Sequence, residues 1–415
     1  MEPSAPLAGI RVVDFSWWLA GPQATRIMAD FGAEVIKIET KAPHVYRMTP
    51  PWRKQGVRLR DASQVDSPNL SGTFNNHNRN KLGITLNVKD PRGMALLRRL
   101  IAVSDVVIEN FSSRVMESWG LGYPQLQALK PDIIYVSLAG MGHWGRDRDI
   151  QTMGPIVQAL SGLTWMSGFP DLPPAGWGYS FMDHTGGYFA VTAIMAALYH
   201  RQQTGQGQWI DLSQTEAGNT LLGAEVLEYT VMGHARTRNG NRLDHPAAAP
   251  HGIYRCAGED RWIAIAVFTA AEWRALSTAM GEPEWTRDPR FATHLGRVAH
   301  QDDLGRFLES WTCTWEDYAL MDLLQRHGVA AGVVQNGVDR FLRDPQLQER
   351  GMFVTVEHPE MGPVPVEGMP IHLSETPATF RRATPLLGEH NAEVLSRILG
   401  LSAEEIAALA QDGVI

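Results

Sequence analysis

The first 140 residues alternate short aliphatic, β-branched runs with helical stretches, and this alternation constrains the fold more than any other feature of the chain. Ile10-Arg11-Val12-Val13-Asp14-Phe15 reads as a buried strand, Gly21-Pro22 opens a helix reaching about Asp30, and Ala33-Glu34-Val35-Ile36-Lys37-Ile38-Glu39 reads as a second strand. These make a βαβ unit. Alternation resumes at Lys81-Leu82-Gly83-Ile84-Thr85-Leu86, and Pro91 suits the first turn of a helix with Met94, Leu97 and Ile101 on one face. Asp105-Val106-Val107-Ile108-Glu109-Asn110 and Asp132-Ile133-Ile134-Tyr135-Val136-Ser137-Leu138 read as further buried strands, with a helical run from Tyr123 to Leu129 between them. The pattern predicts an α/β chain with a mostly parallel sheet covered on both faces. Ligands of such sheets sit beyond the carboxyl ends of the strands, where Ser16, Asn110 and Ala139 fall.

A chain of 415 residues exceeds the usual limit for one core, so two domains are expected. Residues 1–218 form the first part of the larger one, and 219–335 read as a small α+β domain with a strand at Trp262–Val267 and three helices. Residues 336–415 return to β structure and then two helices, the last capped by Ser402 with Glu405 three residues on. The aperiodic stretch His44 to Leu70 reads as a long surface loop. The net charge of −8, with no long basic run, argues against nucleic acid. No apolar run approaches the roughly 20 residues of a membrane span, and Met1 to Ala8 lacks a signal-peptide pattern. Cys256 and Cys313 lack metal-ligand spacing and are expected to be reduced core residues of a cytoplasmic protein.

The turn after the first strand, Trp17-Trp18-Leu19-Ala20-Gly21-Pro22, lacks a dinucleotide-binding glycine pattern, and no P-loop, G-x-S-x-G elbow or H-E-x-x-H occurs. His245 and His251 are the nearest approach to a histidine pair, and as loop residues they predict no metal. The segment Asn76 to Lys89 carries three basic residues around a strand, either as a solvated edge or as a polyanion contact. Asp183 stands just ahead of an apolar stretch, Thr185 to Gln203, with helical periodicity. A carboxylate there is either an N-cap or, being fixed and ionised, a nucleophile. His184 beside it invites an acid/base role, while Trp17, Trp18, Trp165 and Trp177 are either core or the walls of an apolar pocket.

Taken together, Pro6-Leu7-Ala8-Gly9-Ile10-Arg11-Val12, Leu19-Ala20-Gly21-Pro22, Ala33–Glu39, Asn80-Lys81, Val107-Ile108-Glu109-Asn110-Phe111, Gly120-Leu121-Gly122-Tyr123, Thr204-Gly205-Gln206-Gly207-Gln208 and Pro385-Leu386-Leu387-Gly388-Glu389-His390 are highly specific. With them the chain resembles the family III CoA transferases, relatives of the alpha-methylacyl-CoA racemases, over nearly its whole length. The resemblance implies a Rossmann-like large domain built from both ends of the chain, a smaller inserted α+β domain, and an interlocked dimer. It implies a homodimer or a hetero-oligomer with a related subunit, and acyl-CoA with a carboxylic acid as substrates rather than a permanent cofactor. Asp183 occupies the place of the family's nucleophile, which forms an aspartyl anhydride and then an aspartyl-CoA thioester. Gly186 and Gly187 are candidate oxyanion donors through their backbone N–H groups. CoA contacts carry over to Trp18, Leu19, Ala20, Leu86, Lys89 and Asn110, with Arg114 near a phosphate-binding position.

The racemase branch needs a histidine where this chain has Met153, and a thioether cannot exchange a proton with an alpha carbon. Met153 with Trp17, Trp165, Trp177 and His184 suggests a pocket for a bulky, aromatic or substituted-succinate acceptor, with succinyl-CoA as donor. The alternatives are a racemase-like isomerase and a non-catalytic CoA-binding partner subunit.

Overall fold

The computed structural model describes residues 5–41, 47, 67–244 and 247–415. The predicted loop from 44 to 70 is therefore described only at Arg47 and 67–70, and His245 lies outside the described residues.

Six strands, β1 (Arg11–Asp14), β2 (Glu34–Glu39), β3 (Leu82–Thr85), β4 (Val106–Glu109), β5 (Ile134–Ala139) and β6 (Trp209–Ser213), form one sheet in the order β3-β2-β1-β4-β5-β6. Every pairing in it is parallel. The order reverses between β1 and β4, and at such a reversal the strand ends leave a crevice for ligands. The helices that place the site are α1 (Ala20–Asp30), α2 (Pro91–Ala102), α3 (Gly154–Leu160), α4 (Phe181–Thr204) and α5 (Asn391–Leu399).

Side chains alternate across a strand, so consecutive valines feed two cores. Val12, Val35, Val106 and Val136 pack with Ala24 and Met28 of α1 and Ala190 and Ile194 of α4. Val13, Ile36 and Val107 pack on the other face with Leu97 and Leu100 of α2, Val394 and Leu395 of α5, and the terminal Val414 and Ile415. Asp90 caps α2, its carboxylate accepting from the Arg92 N–H at 2.8 Å, as the Asp-Pro pair predicts. Helices α1 and α4 meet at Gly187, where a Cβ would come within 2.8 Å of the Gln23 side chain and 2.9 Å of the Ala20 carbonyl oxygen.

The basic residues of Asn76–Lys89 divide in a way the sequence reading did not anticipate. Arg79 and Lys81 are fully buried, neither a solvated edge nor an anion contact. Arg79 pairs with Asp30 at 2.6 Å, while Lys81 and Lys37 pair with Asp14 at 3.1 and 3.4 Å. Burial, which would raise the Asp14 carboxyl, is outweighed by the two ammonium groups and by hydrogen bonds from Ser16 and Thr25, so it is held well below the usual carboxylate range.

The chain divides into a larger unit, which takes the described residues up to Thr164, Gly176–Ala235 and Gln346–Ile415, and a smaller one of Trp165–Ala175 and Arg236–Pro345. The boundaries thus fall later than 218 and 335, and the helix Gly223–Met232 stays with the larger unit. The smaller unit carries an antiparallel sheet of His251–Arg255, Trp262–Ala266 and Ala330–Val333. Cys256 is buried there, but Cys313 is exposed, contrary to its expected place in the core. No helix among the described residues is long and apolar enough to cross a membrane.

Candidate active site

Asp14 builds the first wall. Its Oδ1 accepts from the Ser16 N–H at 2.8 Å and from the Ser16 hydroxyl at 2.5 Å, fixing the turn that leaves β1. That turn presents Trp18 at φ 59°, a left-handed conformation a bulky residue seldom adopts. Asn110, the residue after β4, clasps the same turn across the strand-order reversal. Its Oδ1 accepts from the Trp17 N–H at 2.6 Å and its Nδ2 donates to the Trp17 carbonyl at 2.8 Å.

Helix α4 begins at Phe181, four residues earlier than the periodicity predicts, with Ser180 at its N-cap position. Asp183 therefore sits inside the first turn rather than ahead of it. From β6 the chain turns directly into Gln214, whose Nε2 donates to Asp183 Oδ1 at 3.0 Å and to the Met182 carbonyl at 3.3 Å. Burial raises the Asp183 carboxyl above its ordinary value, opposed by hydrogen bonds from Gln214 and Ser180 and by the charge of His184. A carboxylate so desolvated keeps its nucleophilicity while remaining oriented by one amide.

A cleft opens over this carboxylate, lined among others by Trp18, Asn110, Thr152, Met153, Gly154 and Gln214. A depression on the smaller unit's sheet, lined by Ala264, Ala266, Ala330 and their neighbours, is larger, but no carboxylate or thiol is among its described lining residues. The Asp183 cleft alone of the two joins space to a nucleophile.

The structure thus brings Trp18, Asn110, Met153 and Asp183 together. The other predicted residues of the larger unit are not among the described lining residues. Trp17 packs edge-on against Phe111, 5.3 Å between centroids, behind the wall. Trp165 belongs to the smaller unit and lies under Arg238, and Trp177 packs on Phe181 at 4.5 Å. His184 points away along the helix circumference, its ring 5.5 Å from that of His77 and depressed in pKa by burial. Leu19 and Ala20 form the N-cap and first residue of α1. Leu86 is a core residue, Lys89 is exposed in the turn beyond β3, and the Arg114 guanidinium is taken by Asp149 at 2.8 Å.

Gly186 and Gly187 need a correction. Because α4 starts at Phe181, both lie past its first four residues, and their N–H groups belong to the helical ladder rather than to an oxyanion. What these glycines supply is clearance, for Gln214 beside Gly186 and for α1 beside Gly187.

Sequence reasoning missed Gln214, Gly154 and Arg148, all of which line the cleft. Gly154 opens α3, and a Cβ on it would fall 2.8 Å from both Asp183 Oδ2 and Ser180 Oγ. Gly154→Ala is expected to rotate the carboxylate out of line and lower kcat roughly 10- to 100-fold, given what a misplacement of about 1 Å costs. Steady-state kinetics beside a thermal melt checks this; the melting temperature should change little.

The comparisons with known proteins agree with this geometry. A model of CoA-transferase family III matches residues 7–391. The chain is 35% identical over 414 residues to a succinyl-CoA–D-citramalate CoA-transferase of Chloroflexus aurantiacus, covering 100% of this chain and 99% of that one. It is likewise 35% identical to a succinate–glutarate CoA-transferase of Agrobacterium fabrum, over 95% of this chain and 96% of the relative. The crystal structure of a CAIB/BAIF family protein from Brucella suis superposes with a TM-score of 0.86 at 32% identity, covering 95% of this chain and all of that one. A parallel sheet of this order, a carboxylate at its carboxyl edge and a family match across nearly the whole length lead to one conclusion: the chain belongs to CoA-transferase family III and is a CoA transferase.

Proposed function

We propose that this enzyme moves coenzyme A from succinyl-CoA or a related acyl-CoA to a carboxylic acid through covalent catalysis at Asp183. The observation that carries the reading is the Asp183 carboxylate, held by Gln214 and facing a cleft at the strand ends. The carboxylate attacks the thioester carbonyl carbon and the C–S bond breaks, giving a mixed anhydride and CoA thiolate. The thiolate then attacks the aspartyl carbonyl carbon, the anhydride C–O bond breaks toward the donor acid, and an aspartyl-CoA thioester remains. The acceptor carboxylate expels thiolate from this thioester, and the thiolate returns to the acceptor's acyl carbon, which restores Asp183. One CoA thioester is formed for each one consumed, so the overall exchange is near balance and needs no ATP.

The relatives named for citramalate and glutarate support a succinyl donor. With Trp177 packed on Phe181 and outside the lining, a substituted succinate is favoured over an aromatic acceptor. Met153 in the cleft supports transfer over racemisation, since its thioether carries no exchangeable proton. Trp18 and Asn110 are the proposed contacts to CoA at the thioester end. The family resemblance supports an interlocked homodimer.

Trapping tests the reading. Incubation with succinyl-CoA and hydroxylamine is expected to leave a hydroxamate on Asp183, located by peptide mass, together with released CoA. Unmodified Asp183 under turnover conditions would refute covalent catalysis at this residue.

A further inference from the structure

We infer that Arg148 receives the distal carboxylate of a dicarboxylic acyl group, making the cleft selective for dicarboxylates over monocarboxylates of the same length. The inference rests on the transferase reading above and adds a residue and a substrate class to it. Among the lining residues Asp183 and Arg148 are the two that carry charge; the others are apolar or neutral, such as Asn110, Thr152 and Gln214. Among the described residues the Arg148 guanidinium is short of partners. Its one ion-pair contact among the described residues is with Asp149, at 4.0 Å. Asp149 is committed elsewhere, accepting from the Ser113 hydroxyl at 2.6 Å and from Arg114 at 2.8 Å.

A half-buried guanidinium lining the same cleft as the nucleophile discriminates by what the far end of the acyl chain offers it. An acyl chain ending in a methyl group leaves the five donors of Arg148 facing hydrocarbon, whereas one ending in a carboxylate meets the fork with two parallel hydrogen bonds. Succinyl and butyryl groups have the same carbon count and differ at that end alone. The phosphates of CoA offer the competing use of the cation, and they are common to every thioester.

The test compares succinyl-CoA with butyryl-CoA in the hydroxylamine-trapping half-reaction, using the full-length wild type, Arg148→Gln and Arg148→Lys. Arg148→Gln is expected to lower kcat/KM for succinyl-CoA about 30-fold or more, as loss of one partner of a desolvated ion pair does, and to change that for butyryl-CoA less than about 3-fold. Arg148→Lys should recover part of the succinyl-CoA loss, because a point charge remains without the fork. Equal losses on both thioesters would overturn the inference by assigning Arg148 to CoA or to folding, and no loss on either would overturn it outright. Wild type that labels Asp183 with neither thioester overturns the transferase reading and this inference with it. Labelling by both, unchanged in ratio in the variants, overturns the inference alone.

Discussion

Asp183→Asn is expected to abolish turnover, by roughly 10³-fold or more, equivalent to about 4 kcal/mol of barrier, while leaving the fold at least as stable as the wild type at neutral pH. The two halves of this result come from one observation. Among the described residues of the cleft this is the only carboxylate, the group that forms the anhydride, so an amide of the same shape ends the chemistry. The amide oxygen still accepts from Gln214 Nε2, so the hydrogen bond that positions the side chain survives.

The stability half follows from the direction of the Asp183 shift. Burial raises its carboxyl above the ordinary 3.8. Such a group binds its proton more tightly folded than unfolded, so its contribution is fully present below 3.8 and is lost as pH rises through the raised folded value. At neutral pH the wild type therefore carries a desolvated charge that the Asn variant lacks. Thermal melts should place Asp183→Asn at or above the wild type at pH 7 and bring the two together in acid. The same shift sets the activity profile: kcat falls as decreasing pH protonates Asp183, at a value above its ordinary 3.8. An Asp183→Asn enzyme with more than about a tenth of wild-type turnover would remove the nucleophile from Asp183.

The βαβ run was legible because its signal is local. Period-two alternation in Val12-Val13 and Val35-Ile36 decides which core each side chain enters, and no distant residue is needed to read it. Asp183 was legible as a residue but misplaced by about one turn. Aspartate ahead of a periodic stretch reads as a cap, whereas Ser180 takes that position and Phe181 and Met182 pack into a small core with Val157, Leu163 and Ala217. Arg79 and Lys81 could not be read as buried, because the carboxylates that neutralise them stand 49 and 67 residues away in the chain. Gln214, Gly154 and Arg148 carried no local signal for the same reason. Each meets Asp183 or its cleft only after the strands bring separate turns to one edge of the sheet. Trp177 misled in the opposite sense: proximity in sequence to Asp183 put it in the pocket, while packing sent it onto Phe181.

The second large effect is expected at Asp14, which never touches substrate. Asp14→Ala leaves Lys37 and Lys81 fully buried without their carboxylate, and breaking a buried pair in this way costs about 3–5 kcal/mol. Because Lys81 also donates to Thr25 at 2.7 Å and Asn78 at 2.8 Å, its ammonium cannot simply swing into solvent. Lys37 in turn donates to the Ser16 carbonyl, so the same cluster reaches the turn that carries Trp18. Urea denaturation is the measurement for Asp14→Ala, and a midpoint equal to that of the wild type would show that the cluster does not hold the sheet. Asp14→Asn separates charge from shape, since its amide oxygen can still accept from Ser16. The lowered carboxyl of Asp14 contributes stability that is present above 3.8 and is lost as pH falls through its folded value. The Asn variant should therefore start from a lower stability at pH 7 and lose less of it on acidification. Where it remains folded, a raised KM for acyl-CoA with little change in kcat is the expected result, because the turn bearing Trp18 loosens while Asp183 and Gln214 stay in place.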